Sequence, residues 1–330
     1  MESWKKKLEV ISTIIILASL TGCTVADYKE PVSNLDEAIN QSVTAVEKID
    51  KKATEAKNQK SQQLVIAGKA HLLAADGTCA IGSDKCSLAI ALLDKNGNRL
   101  IETYPATSLM PNGLVILNSL KEYVASLNAI VEADTASAVE TSTNAALASA
   151  AQIEVEIRKA KNENNTASSI EAYSQPTSAA IRWFVVQYID RVKRDALANA
   201  TRQAQPVIKE LGPYYNTLGE VLTAFEVAGG HMAWIFSEST YSDAVDNKQV
   251  NEAAISAFVK ATNGYSAILK AGSAKPLEKF VEAHTKLYEN LDGESDVTMA
   301  DVIASINAFE KQAKEFKKIV DDFEKVADEQ

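Results

Sequence analysis

Residues 299–328 read MADVIASINAFEKQAKEFKKIVDDFEKVAD. Met299, Val302, Ile306, Phe309, Ala313, Phe316, Val320, Phe323 and Ala327 recur at alternating steps of three and four. That spacing places every one of them on one side of an α-helix, and Lys, Glu and Asp fill the other sides. An apolar seam held in this way over four heptads needs other helices to cover it. Thr298 is positioned to cap the segment, and Asp301 lies in its first turn. A chain ending in such a segment predicts a helical bundle.

Working backwards, weaker versions of the same pattern recur. Leu35, Ile39, Val43, Val46, Ile49, Ala53 and Ala56 form a helical stripe, with Ser33 or Asn34 as its cap. The stripe thins across Lys57–Gln63, resumes at Leu64, Ala67 and His71, and ends near Gly77. Leu117, Leu120, Val124, Leu127 and Val131 form another stripe, in a stretch with no Pro or Gly from Leu114 to Lys161. Between Ala133 and Ala151, fourteen of nineteen residues are Ala, Ser or Thr, side chains small enough for close helix approach. Further helices are expected around Ile181–Ala196, Tyr215–Phe236, Ile255–Leu269 and Leu277–Leu291, with Pro206 kinking or dividing one and Gly212-Pro213 ending it. The sum is an all-α, elongated antiparallel bundle of five to seven long helices, several of about 40 residues.

Residues 77–112 interrupt this regularity. Leu88, Ile90 and Leu92 alternate, Asn96-Gly97 is a turn signal, and Leu100–Tyr104 reads as a returning strand. A short helix over Ser83–Leu93, stopped at Asn96-Gly97, is the competing reading.

Composition narrows the class. Of 330 residues, 46% are apolar and 24% charged, which is globular rather than disordered. Thirteen Gly and seven Pro are too few for the many tight turns of a sandwich or barrel. The net charge of −10, with no basic cluster beyond the first residues, argues against nucleic acid as a partner.

The N-terminus carries the clearest address. Lys5, Lys6 and Lys7 precede an apolar run over Val10–Leu20, and Leu20-Thr21-Gly22-Cys23 follows. A run of eleven residues, eight of them apolar, is too short to span a bilayer but suits a secretory signal. Leu-Thr-Gly-Cys resembles the lipobox of bacterial lipoproteins, a likeness confined to this segment. The resemblance implies removal of residues 1–22, a thioether-linked diacylglycerol on Cys23 and acylation of its new amino group. Two or more chains suffice for stable anchoring. It also implies an outer-membrane destination, because Thr24 is not the Asp that commonly retains such proteins at the inner membrane. Residues 23–34 are then expected as an acylated tether, and 35–330 as one helical-bundle domain with the insertion at about 77–112. With Cys23 assigned to lipid, Cys79 and Cys86 remain as an even pair in an exported chain, and a disulfide pinning the insertion is expected.

Candidate chemistry is sparse. Asp292, Glu294 and Asp296 have the first spacings of a calcium loop, but Val297 stands where Gly is needed and Ile303 where a bidentate carboxylate belongs. His71 and His284 fall on apolar stripes, where a packed, hydrogen-bonded imidazole is the expectation. Gly229-Gly230-His231 could open a ligand or haem pocket, although such glycines more often permit close helix crossing. Trp183, Phe184 and Tyr188 read as core, and Arg182, Arg191, Lys193 and Arg194 as a solvated face. No nucleophile elbow, phosphate loop or dinucleotide fingerprint occurs. No catalytic, cofactor or metal residues are therefore assigned. The expected function is a non-enzymatic envelope lipoprotein that binds or spaces another envelope protein from the bilayer. The alternative is membrane insertion through an apolar tongue at 79–104, and behind it a haem- or ligand-binding bundle.

Overall fold

The computed structural model describes residues 24–66, 68, 70–74, 88–93, 99–108, 110–161, 170, 185–246, 250–271, 276–293 and 295–328. Seven helices and three strands are present among them: α1 (Ala26–Ile66), β1 (Ala70–Ala74), β2 (Leu88–Leu93), β3 (Arg99–Tyr104), α2 (Pro111–Glu132), α3 (Ala136–Ala160), α4 (Val185–Asp246), α5 (Glu252–Ala271), α6 (Pro276–Asp292) and α7 (Met299–Asp328). The protein is a predominantly helical bundle carrying a small antiparallel sheet.

The seam of α7 behaves as its spacing requires. Val302, Ile306, Phe309 and Ala313 are essentially inaccessible, Val320 is buried, and Phe316 packs against the core. Thr298 caps the helix: its backbone N–H and hydroxyl donate to Asp301 Oδ2 at 2.8 and 2.7 Å, and its Oγ1 accepts from Asp301 N. These bonds hold the Asp301 carboxyl below its ordinary range. The seam is covered by α1 and α6 of the same chain.

Six helices close a ring in the order α1, α2, α3, α4, α6, α7 and back to α1, with α5 lying on α4 and α7. Contrary to the expectation of a wholly antiparallel bundle, two neighbouring pairs run parallel. Tyr28 at the start of α1 meets Asn290 at the end of α6, just before α7 begins, and Lys48 pairs with Asp321 at matching distances along α1 and α7. Lys193 near the start of α4 reaches Val131 O at the end of α2, whereas Lys161 after α3 pairs with Glu210, so α3 and α4 also run together.

Several boundaries differ from the sequence reading. Residues 26–34 are not tether: they form the first turns of α1, and Tyr28 and Val32 are fully buried. The cause is a second Thr-x-x-Asp cap, in which Thr24 N donates to Asp27 Oδ2 at 2.7 Å. The helix expected to run to about residue 75 ends at Ile66, where Gly68 takes a left-handed conformation (φ 68°), so His71 lies on β1 and not on a helix. The run from Leu114 to Lys161 is divided at Ala133–Thr135, with Thr135 capping α3 by accepting from Ala138 N. Pro206 and Gly212-Pro213, expected to break a helix, lie inside α4, which runs unbroken for 62 residues, about 90 Å. Burial of Ala200, Ala204, Val207, Ile208 and Leu211 on one side of α4 outweighs the bond that Pro206 removes.

The insertion is a hairpin, not the short helix. β2 is central, paired antiparallel with β3 (Ile90 opposite Glu102) and with β1 (Leu72 opposite Ile90). Asn58 of α1 clamps the chain leaving β3, exchanging two 2.9 Å bonds with Ala106, and Asp50 accepts from Met110 N as α2 begins. The Asn96-Gly97 turn, Cys23, Cys79 and Cys86 lie outside the described residues.

Because the ring of Pro206 is exposed and its helix is unbroken, Pro206→Ala should restore a backbone donor and relieve the steric penalty. The expected result is a gain of about 1–3 kcal/mol in a urea titration. Unchanged or reduced stability would show that the proline is already accommodated.

Candidate functional site

Among the described residues, the most chemically distinctive place is a chain of polar side chains in the middle of the ring. α2 contributes Tyr123, α4 Gln205, and α6 His284 and Thr285. Tyr123 and His284 are fully buried, and Gln205 nearly so. Periodicity explains their placement: Tyr123 sits among Leu120, Val124 and Leu127 on the buried stripe of α2, and His284 among Phe280, Ala283 and Leu287 on that of α6.

The bonds run in one direction. Thr285 Oγ1 donates to Val281 O at 2.7 Å and accepts from Gln205 Nε2 at 2.9 Å. Gln205 Oε1 is left to accept from His284 Nδ1 at 2.6 Å. The other ring nitrogen, Nε2, accepts the phenol proton of Tyr123 at 2.7 Å. This order assigns the neutral Nδ1–H tautomer. Burial alone lowers His284 to about 3 and pushes the Tyr123 phenol well above its ordinary value. Around the imidazole, Tyr123 lies at 5.7 Å and Phe280 at 6.0 Å between ring centroids, and Phe280 meets Phe309 edge-on. Every ring nitrogen is engaged and aromatic rings fill the space around them. The arrangement therefore ties three helices together, in line with the expectation of a packed, hydrogen-bonded His284.

The other candidate residues are not brought to this place. His71 is exposed on β1. Gly229, Gly230 and His231 fall within continuous helix α4. At the end of α6, Asp292 accepts from Arg202 at 2.8 Å, and in the acidic turn that follows Asp296 is exposed. Among the described residues no three His, Cys, Asp or Glu side chains are grouped to hold a metal ion. Trp183, Phe184 and Arg182 lie outside the described residues, while Lys193 is spent on Val131 O and Arg191 is exposed beside Asp195. An open groove of about 410 Å³ follows the outer face of α1, lined by Asp36, Asn40, Thr44 and Lys317 among others. Desolvation raises the Asp36 carboxyl there, against hydrogen bonds from Asn128 and Asn40.

Two surface features distinguish the ends of the ring. The ring end at which α1 begins is tightly finished: Val25 is buried, Tyr28 donates to Asn290 Oδ1 at 2.6 Å, and Asn290 donates to Val297 O. The opposite end carries exposed apolar side chains. Leu72, Leu88 and Leu100 are between 41% and 48% exposed, and Ile101 is 64% exposed, all on the sheet. Comparison with known proteins finds no matching family, no matching curated protein and no matching solved structure.

Replacing Tyr123 with Phe keeps the ring but strands His284 Nε2 as a buried acceptor. A loss of about 1–3 kcal/mol is expected by urea unfolding at neutral pH. A change within experimental error would mean that the hydroxyl contributes nothing to holding α2.

Proposed function

We propose that this protein is an envelope lipoprotein, anchored through acylated Cys23 at the outer membrane. In this reading it acts without catalysis, as a rigid helical module that holds a binding surface away from the bilayer. The observation that carries it is the position of the first cap. Thr24 and Asp27 close α1 directly after Cys23, so an acyl chain there would be joined to the finished end of the ring with almost no slack. α1 then runs 41 residues, about 60 Å, before the chain turns into the sheet. The exposed Leu72, Leu88, Leu100 and Ile101 thus stand at the far end from the anchor, where another envelope protein would meet them. A Cys79–Cys86 disulfide would close the β1–β2 connection at the sheet and stabilise that local loop by about 2–3 kcal/mol.

A second reading, membrane insertion through the hairpin of the 79–104 region, draws on those same exposed side chains. It also draws on α2, which is long and apolar enough by length and composition to cross a membrane, although half of its most apolar stretch is buried in the ring. Core helices of soluble proteins meet the same measure, so the anchored module is preferred.

Mass spectrometry of the mature N-terminal peptide should find acylated Cys23 as its first residue, and Cys23→Ser should move the protein from the membrane to the soluble fraction. Retention of residues 1–22, or an unmodified thiol, would overturn the assignment. Dye release from liposomes by the domain without its acyl chains would instead favour the second reading.

A further inference from the structure

We propose that the chain Tyr123–His284–Gln205–Thr285 is a proton-sensitive latch that holds α2 against α4 and α6 and opens when the imidazole takes a second proton. The inference is independent of lipidation and concerns the inside of the ring.

Each link matters because it joins a different helix. Tyr123 to His284 ties α2 to α6, and His284 to Gln205 ties α6 to α4. In the neutral ring the bonds are complementary: Nδ1 donates and Nε2 accepts. A proton on Nε2 leaves a donor facing the Tyr123 hydroxyl. The hydroxyl can then serve as acceptor only by turning its own proton away from the imidazole, within a fully buried side chain for which no second hydrogen-bond acceptor is seen among the described residues. The imidazolium would also be a buried charge with no counterion among the described residues.

Among the described residues, no charged group on the surrounding helices relieves this. Burial is what sets the basicity of His284, and it is likewise what sets that of Tyr123, the titratable group facing it from α2. From α4 the ring meets neutral Gln205, and the nearby Arg202 is held by Asp292. On α6 itself, Lys279 pairs with Glu282 and Lys286 with Glu289, and Phe280 adjoins the ring. From α7 the near group is Phe309, which packs on Phe280. Lys121 and Glu122 of α2 flank Tyr123 in sequence but are not buried.

What the latch retains is unusual for this chain. Ile116, Leu117, Leu120, Val124, Leu127, Ile130 and Val131 make α2 the one described helix that meets the length and hydropathy of a membrane span. Opening at His284 would remove the bonds that tie that helix across the ring to α6, and through it to α4, and leave it held by its packing on α1 and α3.

Linkage fixes the direction of the effect. The opened state takes up its proton near pH 6.5 and the closed state only near pH 3. Closure is therefore at full strength above pH 6.5 and weakens as pH falls from there toward 3. The opening equilibrium should rise about tenfold per pH unit across that window, or about 100-fold between pH 7.5 and 4.5.

Hydrogen exchange of the full chain, corrected for the intrinsic pH dependence, tests this. Peptides from 116–127 and 280–287 should gain opening by about that factor, and His284→Gln should abolish the gain. An equal pH response in His284→Gln, or unchanged protection in the wild type, would overturn the latch. Should that variant fail to fold, the ring of His284 can be followed by NMR in the wild-type protein. Retention of a neutral ring down to about pH 4 supports the latch, and titration near pH 6.5 without loss of protection defeats it.

Discussion

Closure of the ring between the first helix and the last is the constraint on which the rest depends. α7 can bury its seam only if α1 lies beside it, and α1 is brought there by the bonding of Tyr28 to Asn290 and of Lys48 to Asp321. Of these, Tyr28 is a buried anchor. The partly exposed Lys48–Asp321 pair contributes modestly and acts mainly to set the register. Once the pair is set, α2 and α6 have fixed neighbours on either side, and the interior left between them determines where Tyr123, Gln205 and His284 meet. The two Thr-x-x-Asp caps start α1 and α7 at the same end, which is why these helices run parallel.

The interior of this ring is mixed in a way that bears on its behaviour. A core of Phe280, Phe309 and aliphatic side chains supplies the non-directional stabilisation of burial. The polar chain through His284 adds direction: it has one arrangement in which every donor finds an acceptor, and a helix rotated or shifted by one residue would lose it. The same commitment of both ring nitrogens makes the arrangement intolerant of an added proton. Specificity of packing and sensitivity to acid thus come from one set of bonds.

The two ends of the bundle differ in kind. At one, capped helices and buried Val25 and Tyr28 leave little apolar surface. At the other, a three-stranded sheet pinned by Asn58 and Asp50 leaves leucines and an isoleucine in solvent. Local chemistry explains the asymmetry: sheets of three strands have two edges and two faces to cover, and the helices present cover only part of them. An anchor at residue 23 would make that asymmetry directional with respect to a membrane.

Helical class, the α7 seam and its Thr298 cap were legible from periodicity, because each depends on residues close in sequence. The alternation of Leu88, Ile90 and Leu92 left a hairpin and a short helix both open, and pairing with β1 and β3 decided for the strand. The buried state of His284 was legible too, from its place on an apolar stripe. The start of α1 could have been read from Thr24-x-x-Asp27, the same signal that marks α7, but the polar composition of 24–34 pointed to a tether. What remained hidden was decided by contacts between distant segments. Pro206 is carried through α4 because neighbouring helices cover the residues around it, and β1 forms because Leu72 finds Ile90 across the sheet. Tyr123 and Gln205 have no local pattern that links them to His284. Their meeting follows from the order in which six helices close, a property that no window of sequence contains and that only the folded chain determines.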